Sequence, residues 1–358
     1  MSNLLLLLFL AAPIVLFIVA LKFVRQARRS TPIGRRVLIK GNVSVLLLFV
    51  SLLILGGEIY FRFIYDATDS FGISKTTEAW FERHFQRNQT GFRDNITYQP
   101  SVEIGLRRLT FVGDSFTVGH GIPNVDDRFA NIIRKLQRRT EVHVLAECGW
   151  DTGDHLKMVN FLRPSGYEID VVILVYCLND IADIHPEWQQ VLKRIYEAPE
   201  PGFLAKNSYL FNTLHARLRM AQEPDIANYY DFVKDAYAGP VWVKQQQRLK
   251  EISRTVRGSG GRLLVVTFPF LHALGDDYAY FDAHQQLADF WDQQQVPHLD
   301  LLSLYQSDST EDYVISTRDV HPNEFAHRLA ADAVMEFVDS ALSKPADKAE
   351  FVGPERSE

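Results

Sequence analysis

Two stretches far apart in the chain hold residue types that can move an acyl group. "RRLTFVGDSFTVGHG" (107–121) sets Ser115 directly after a short apolar run, and "STRDVHPNEFAH" (316–327) sets His321 two residues after Asp319. A serine hydroxyl is a weak nucleophile until a base takes its proton. His321, at the start of a terminal helix, is the candidate base. Asp319 is the candidate for holding its far ring nitrogen and fixing the tautomer. Acyl transfer also needs donors aimed at the oxyanion that develops on the carbonyl. The candidates are the backbone amides of Ser115 and Gly149, the latter in "AECGWDTG", and the side-chain amide of Asn179 in "VYCLND". His327 is a rival base, but its helical position reads as surface or packing. Asp114 reads as an anchor of the turn. His120, His143, His155 and His185 form no ligand-spaced set and read as incidental, so neither a metal nor an organic cofactor is expected.

These groups can act together only if one scaffold gathers them. From about residue 106, apolar runs that read as strands alternate with amphipathic runs that read as helices. The strand-like runs are "LRRLTFVGD", "EVHVLAECG", "IDVVILVYCLND", "RLLVVTFPF" and "PHLDLL". The third is apolar on both faces, as a parallel strand covered by helices must be. The pattern predicts an α/β fold with a doubly wound, flavodoxin-like parallel sheet of order 2-1-3-4-5. In that order the second and third strands flank the first. Gly149 and Asn179 then stand on either side of Ser115, along the edge where open sheets bind ligands. Gly113, Gly119 and Gly121 are expected to supply unusual backbone angles around the serine. Cys148 and Cys177 come out about two strand spacings apart, ~9–10 Å. That is beyond the ~7 Å reach of a disulfide, so both are expected as free thiols. Residues 183–240 break the alternation and read as an insertion, whose aromatic stretch "NYYDFVKDAYAG" packs internally or walls a substrate.

At 358 residues, 47% hydrophobic and 23% charged, the chain can hold one large domain and additional segments. Residues 1–61 read as a transmembrane hairpin with spans at about 4–21 and 41–61, long enough for a hydrocarbon core of ~30 Å. Basic residues follow the first apolar run instead of preceding it, which favours a retained span over a cleaved signal peptide. Lys22, Arg25, Arg28, Arg29, Arg35, Arg36 and Lys40 all lie between the two runs, where no acid occurs. The positive-inside rule therefore puts that loop in the cytoplasm and everything beyond residue 62 outside. All 44 acidic residues fall beyond the loop, and so acidic a surface disfavours nucleic acid as a partner. Residues 62–105 read as a lead-in without clear periodicity, 106–343 as the α/β domain, and 344–358 as a loose charged tail. Asn88 and Asn95 lie in sequons, which matter only in a host that glycosylates.

The ordered set "GDSFTVGHG", Gly149, "LND" and "DVHPN" resembles the SGNH/GDSL hydrolase family over roughly residues 90–340, and "TGFRD" resembles the lead-in of its membrane-anchored bacterial members. The resemblance implies Ser115 as nucleophile, His321 as base, and Ser115, Gly149 and Asn179 as the oxyanion hole. Most members separate the acid from the histidine by two residues. Here Arg318 holds that place and Asp319 stands one closer, a spacing similar to that of polysaccharide O-acetyltransferases. Asp312 or a backbone carbonyl is the substitute for Asp319. The resemblance further implies a serine esterase in the inner membrane with a periplasmic catalytic domain, acting on O-acetyl or other short acyl esters of carbohydrate. One alternative is an O-acetyltransferase using the same residues and served by a membrane acyl donor protein. A second is a catalytically silent glycan-binding or assembly protein.

Overall fold

The computed structural model describes residues 2–29, 32–197, 201–227, 229–275, 277–305 and 310–343; the tail expected at 344–358 lies outside them. Two apolar helices, α1 (Ser2–Arg29) and α2 (Arg35–Ile59), pack against each other, and each is long and apolar enough to cross a membrane. A π-helical turn, Tyr60–Ile64, carries the second helix beyond Glu58. Helix α3 (Lys75–His84) follows, started by the Ser74 hydroxyl, which accepts from the Thr77 amide.

The sheet begins at β1 (Arg107–Gly113), which ends in the short helix α4 (Ser115–Val118). Then come α5 (Phe129–Leu136), β2 (Thr140–Ala146), α6 (Thr152–Leu162) and β3 (Val171–Cys177). Every residue of β3 is buried, which fits its run of β-branched and apolar side chains at the centre of a covered parallel sheet. The segment that broke the alternation is helical: α7 (Trp188–Tyr196), α8 (Phe203–Asn207), α9 (Tyr209–Gln222), α10 (Pro224–Ala227) and α11 (Tyr229–Ala236). Alternation resumes with α12 (Gly239–Gly258), β4 (Arg262–Phe268), α13 (Phe281–Gln293) and β5 (His298–Asp300). A short helix α14 (Leu302–Tyr305), two brief strands β6 (Val314–Ser316) and β7 (Asp319–Pro322), and helix α15 (Glu324–Ser343) complete the described chain.

The five main strands form one parallel sheet in the order β2-β1-β3-β4-β5, the doubly wound α/β arrangement. Phe111, Phe129, Phe268 and Trp291 are among the buried side chains of the core between sheet and helices. The β6–β7 antiparallel ribbon carries 319–322 just ahead of the terminal helix, where the sequence shows no strand-like run. Cys148 and Cys177 are both free.

Candidate active site

Ser115 sits where β1 turns into α4. The Asp114 carboxylate caps that turn by accepting from the Phe116 amide at 2.9 Å. Burial pushes the Asp114 carboxyl up to about 7, against the opposing pull of its bond to the Phe116 amide. Gly119 and Gly121 take left-handed angles, φ +74° and +83°. Gly113 does not, and its requirement is space: a Cβ there would lie 2.0 Å from Thr117 Oγ1 and 2.9 Å from the Val175 carbonyl. The turn thus places Ser115 at the carboxyl end of the sheet, beside strands β2 and β3.

The candidate base and acid arrive on the ribbon. Side chains two apart on a strand point to the same face. Asp319 and His321 on β7 are therefore neighbours, which gives the Asp-x-His spacing a physical reason. His321 Nδ1 lies 2.5 Å from Asp319 Oδ1, and His321 Nε2 lies 2.8 Å from Ser115 Oγ. Asp312, the substitute considered for Asp319, is exposed and offers its backbone carbonyl to Asn323. His327 lies in α15, where its ring stacks on Phe129 and its Nδ1 accepts from the Phe129 amide, so it belongs to the packing.

Ser115, Gly149, Asn179 and His321 all line one cavity of about 500 Å³. Gly149 has φ +77°, with open space where a Cβ would sit, so here glycine serves the backbone angle. Asn179 follows β3 in a short 3-10 turn, Leu178–Ile184; Asp180, not Asn179, accepts from the Cys177 amide that begins it. The cavity has two further walls. Trp188, Leu192 and Tyr229 come from the insertion, so part of its aromatic stretch does face the site. Ser70, Phe71 and Gly72 come from the lead-in.

Two site residues escaped the sequence reading. Thr68 donates its hydroxyl to Asp319 Oδ2. His120, read as incidental, is buried with Nε2 3.3 Å from Asp319 Oδ2 and 3.2 Å from the Asp69 carbonyl. Its Nδ1 is 3.6 Å from Cys148 Sγ, its ring stacks on His321 at 4.1 Å, and Trp80 and Phe81 close the remaining sides. Two of these polar partners, the Asp319 carboxylate and the Asp69 carbonyl, are acceptors only, which suits an imidazolium. The available signal was position: a histidine between two left-handed glycines, just after the Ser115 turn. Of the other histidines read as incidental, His143 is bonded to the Tyr167 hydroxyl and His155 is buried in α6, and neither lines the cavity.

The charges follow from these contacts. Burial opposes charge on His120, but the Asp319 carboxylate outweighs it and raises the ring to about 10. Burial likewise lowers His321, and the charge of His120 lowers it further, against the pull of Asp319. Burial alone would raise Asp319, yet His321 and His120 hold it well below the usual carboxylate range. The result at neutral pH is a charged His120–Asp319 pair beside a neutral His321 that is free to take a proton. His120, Asp319 and His321 also form the one group, among the described residues, whose ligating atoms lie close enough to hold a metal ion, all within 4.8 Å. Asp319 joins the two rings, meeting His321 Nδ1 through Oδ1 at 2.5 Å and His120 Nε2 through Oδ2 at 3.3 Å.

A family model described as GDSL-like lipase/acylhydrolase matches residues 111–329. Solved structures similar to the chain include an extracellular lipase from Streptomyces rimosus, 14% identical, covering 66% of this chain and 99% of that one with a TM-score of 0.42. A member of the lipolytic G-D-S-L family from Veillonella parvula is 14% identical over 64% of this chain and 97% of its own, TM-score 0.41. A carbohydrate esterase family 2 enzyme from Corynascus thermopiles is 12% identical over 69% of each chain, TM-score 0.40. No curated protein matches the chain in sequence.

Proposed function

The chain belongs to the GDSL-like lipase/acylhydrolase family, and on that premise we propose that it is a membrane-anchored serine esterase whose outward-facing domain removes O-acetyl or other short acyl groups from carbohydrate. The observation that carries the reading is the continuous relay from Ser115 Oγ through His321 to Asp319, with separations of 2.8 and 2.5 Å. Ser115 Oγ attacks the ester carbonyl as its proton passes to His321 Nε2, and Asp319 stabilises the resulting imidazolium. The tetrahedral oxyanion is met by the Ser115 and Gly149 amides and the Asn179 side chain. Collapse expels the alcohol, which takes the proton from His321 and leaves acyl-Ser115. Water, deprotonated by His321, then releases the acid and restores the serine.

The carbohydrate part rests on the cavity's walls. Trp150, Trp188 and Tyr229 offer apolar ring faces, and Asp151, Asp183 and Gln189 offer partners for hydroxyl groups. Outward orientation rests on the basic loop between α1 and α2, which the positive-inside rule assigns to the cytoplasm; in a bacterial envelope that makes the domain periplasmic. A second reading, transfer of the acyl group to an acceptor glycan from a membrane donor protein, is favoured by the Asp-x-His spacing and uses the same residues.

Ester hydrolysis by the full chain in detergent tests the proposal. Ser115→Ala and His321→Ala should each lower kcat by at least about 10³-fold, and rates equal to wild type would remove the mechanism. Adding an acceptor glycan separates the two readings: acylated glycan forming faster than free acid means transfer.

A further inference from the structure

The insertion carries an apolar face that the catalytic cavity does not use. Helix α9 begins against the hairpin, and two independent contacts fix how deep. Asn3 of α1 and Arg62, just beyond α2, are level, with Asn3 Oδ1 3.5 Å from Arg62 Nη1. Phe211 of α9 lies 6.3 Å, ring to ring, from Phe9, six residues along α1 and therefore about 9 Å below that level at the ~1.5 Å rise of a helix. Leu210 packs on Gly57, where an added Cβ would meet both its methyl carbons at 3.0 Å; Gly57 is about 7 Å below Arg62 by the same rise. Both depths fall within the apolar stretches of the two helices.

The buried Glu58 carboxylate holds α9 there, accepting from the Ser208 hydroxyl at 2.5 Å and the Leu210 amide at 3.0 Å while Arg62 pairs with its other oxygen at 2.6 Å. Around this joint lies a girdle of aromatic and basic groups, Arg62 over the Tyr209 ring and Arg217 over Phe61 and Tyr65. Such mixtures favour a membrane–water boundary, where rings and guanidinium groups bridge the two media. Beside this girdle, Leu214 and Leu218, one turn apart on α9, are 50% and 56% exposed, and Phe203 and Leu204 of α8 and Phe63 and Ile64 after α2 are likewise exposed. An apolar patch continuous with two membrane-length helices has an evident cover.

We propose that α8 and α9 lie in the outer boundary of the bilayer beside the hairpin, with Phe203, Leu204, Leu214 and Leu218 set among lipid acyl chains. This rests on the reading that α1 and α2 span the membrane. Its consequence is that the catalytic cavity is held at the bilayer surface. Arg219 of α9 donates to the Arg194 carbonyl at 2.9 Å, at the end of the cavity wall α7, and Asn212 accepts from the Lys75 amide at 2.7 Å, at the start of α3. The lipid-facing helix thus braces two of the elements around the site.

The test uses the full chain in phosphatidylethanolamine/phosphatidylglycerol nanodiscs, with both native cysteines replaced and one nitroxide each at Leu214→Cys, Leu218→Cys, Phe17→Cys in α1 and Phe161→Cys in α6. Collision with oxygen, which favours lipid, is compared with collision with a water-soluble nickel chelate. Leu214 and Leu218 should show an oxygen-to-nickel ratio several-fold above that of Phe161. A ratio equal to that of Phe161, with Phe17 still reading as bilayer interior, overturns the proposal and leaves the anchor standing. Low collision rates with both reagents overturn it in favour of a protein partner or second copy on this face. An aqueous reading at Phe17 overturns the anchor itself.

Discussion

His120 stacks on the ring of His321, the proposed base, and its charge would help to set the pH at which that ring is free to act. His321 must be neutral to serve as base, and burial together with the His120 charge depresses its proton affinity. The acid limb of the kcat/KM profile should therefore lie below the ordinary histidine value of ~6.5. His120→Gln removes the positive charge and leaves Asp319 as the dominant charge facing His321, so the limb should move upward. A lower rate with an unmoved limb would mean that His120 only packs. The meeting of Ser115 with His321 was legible because serine after a buried strand, and histidine beside an acid, have few other reasons to occur together. Asp319 was ambiguous by spacing alone, since only a strand puts residues two apart on one face. His120 was missed because its role depends on where the ribbon folds, which local sequence does not specify.

The lead-in is part of the site's foundation. Arg93, almost fully buried, donates to the carbonyls of Gly119 and of Ile122, the latter at 2.5 Å, and so clamps the chain just after the nucleophile turn. Its neighbour Asp94 gathers Arg128 at 3.1 Å, Arg134 at 2.6 Å and the Tyr98 hydroxyl at 2.5 Å. Burial would raise the Asp94 carboxyl, but its bonds to Arg134 and the charge of Arg128 hold it below the usual range. Asp94→Ala leaves Arg128 buried without a carboxylate, a change that costs about 3 kcal/mol or more. The apparent Tm of the full chain should fall by about 6–12 °C, and an unchanged Tm would show that the arginines find other partners. At this scale the strands and helices of the sheet were readable from their two periodicities. The lead-in was not, because its order comes from arginine–carbonyl and carboxylate contacts to distant elements and leaves no repeating pattern. The β6–β7 ribbon was equally hidden, since three- and four-residue strands are too short to show alternation.

Across the whole molecule, distant segments meet at one cavity: the lead-in, the turns after β1, β2, β3 and β4, the insertion and the terminal ribbon. The hairpin was legible from composition, because its apolar lengths and the basic loop need no tertiary context. The docking of α9 on that hairpin was not, since Glu58 looks like the end of a span until the Ser208 hydroxyl and Leu210 amide are seen to bond it. The convergence itself is tested by treating the full chain with a fluorophosphonate and mapping the adduct by mass spectrometry. A single adduct on Ser115, lost in Ser115→Ala and formed far more slowly in His321→Ala, is the predicted result. An adduct on a different residue, or undiminished labelling of Ser115 without the His321 imidazole, would contradict the account.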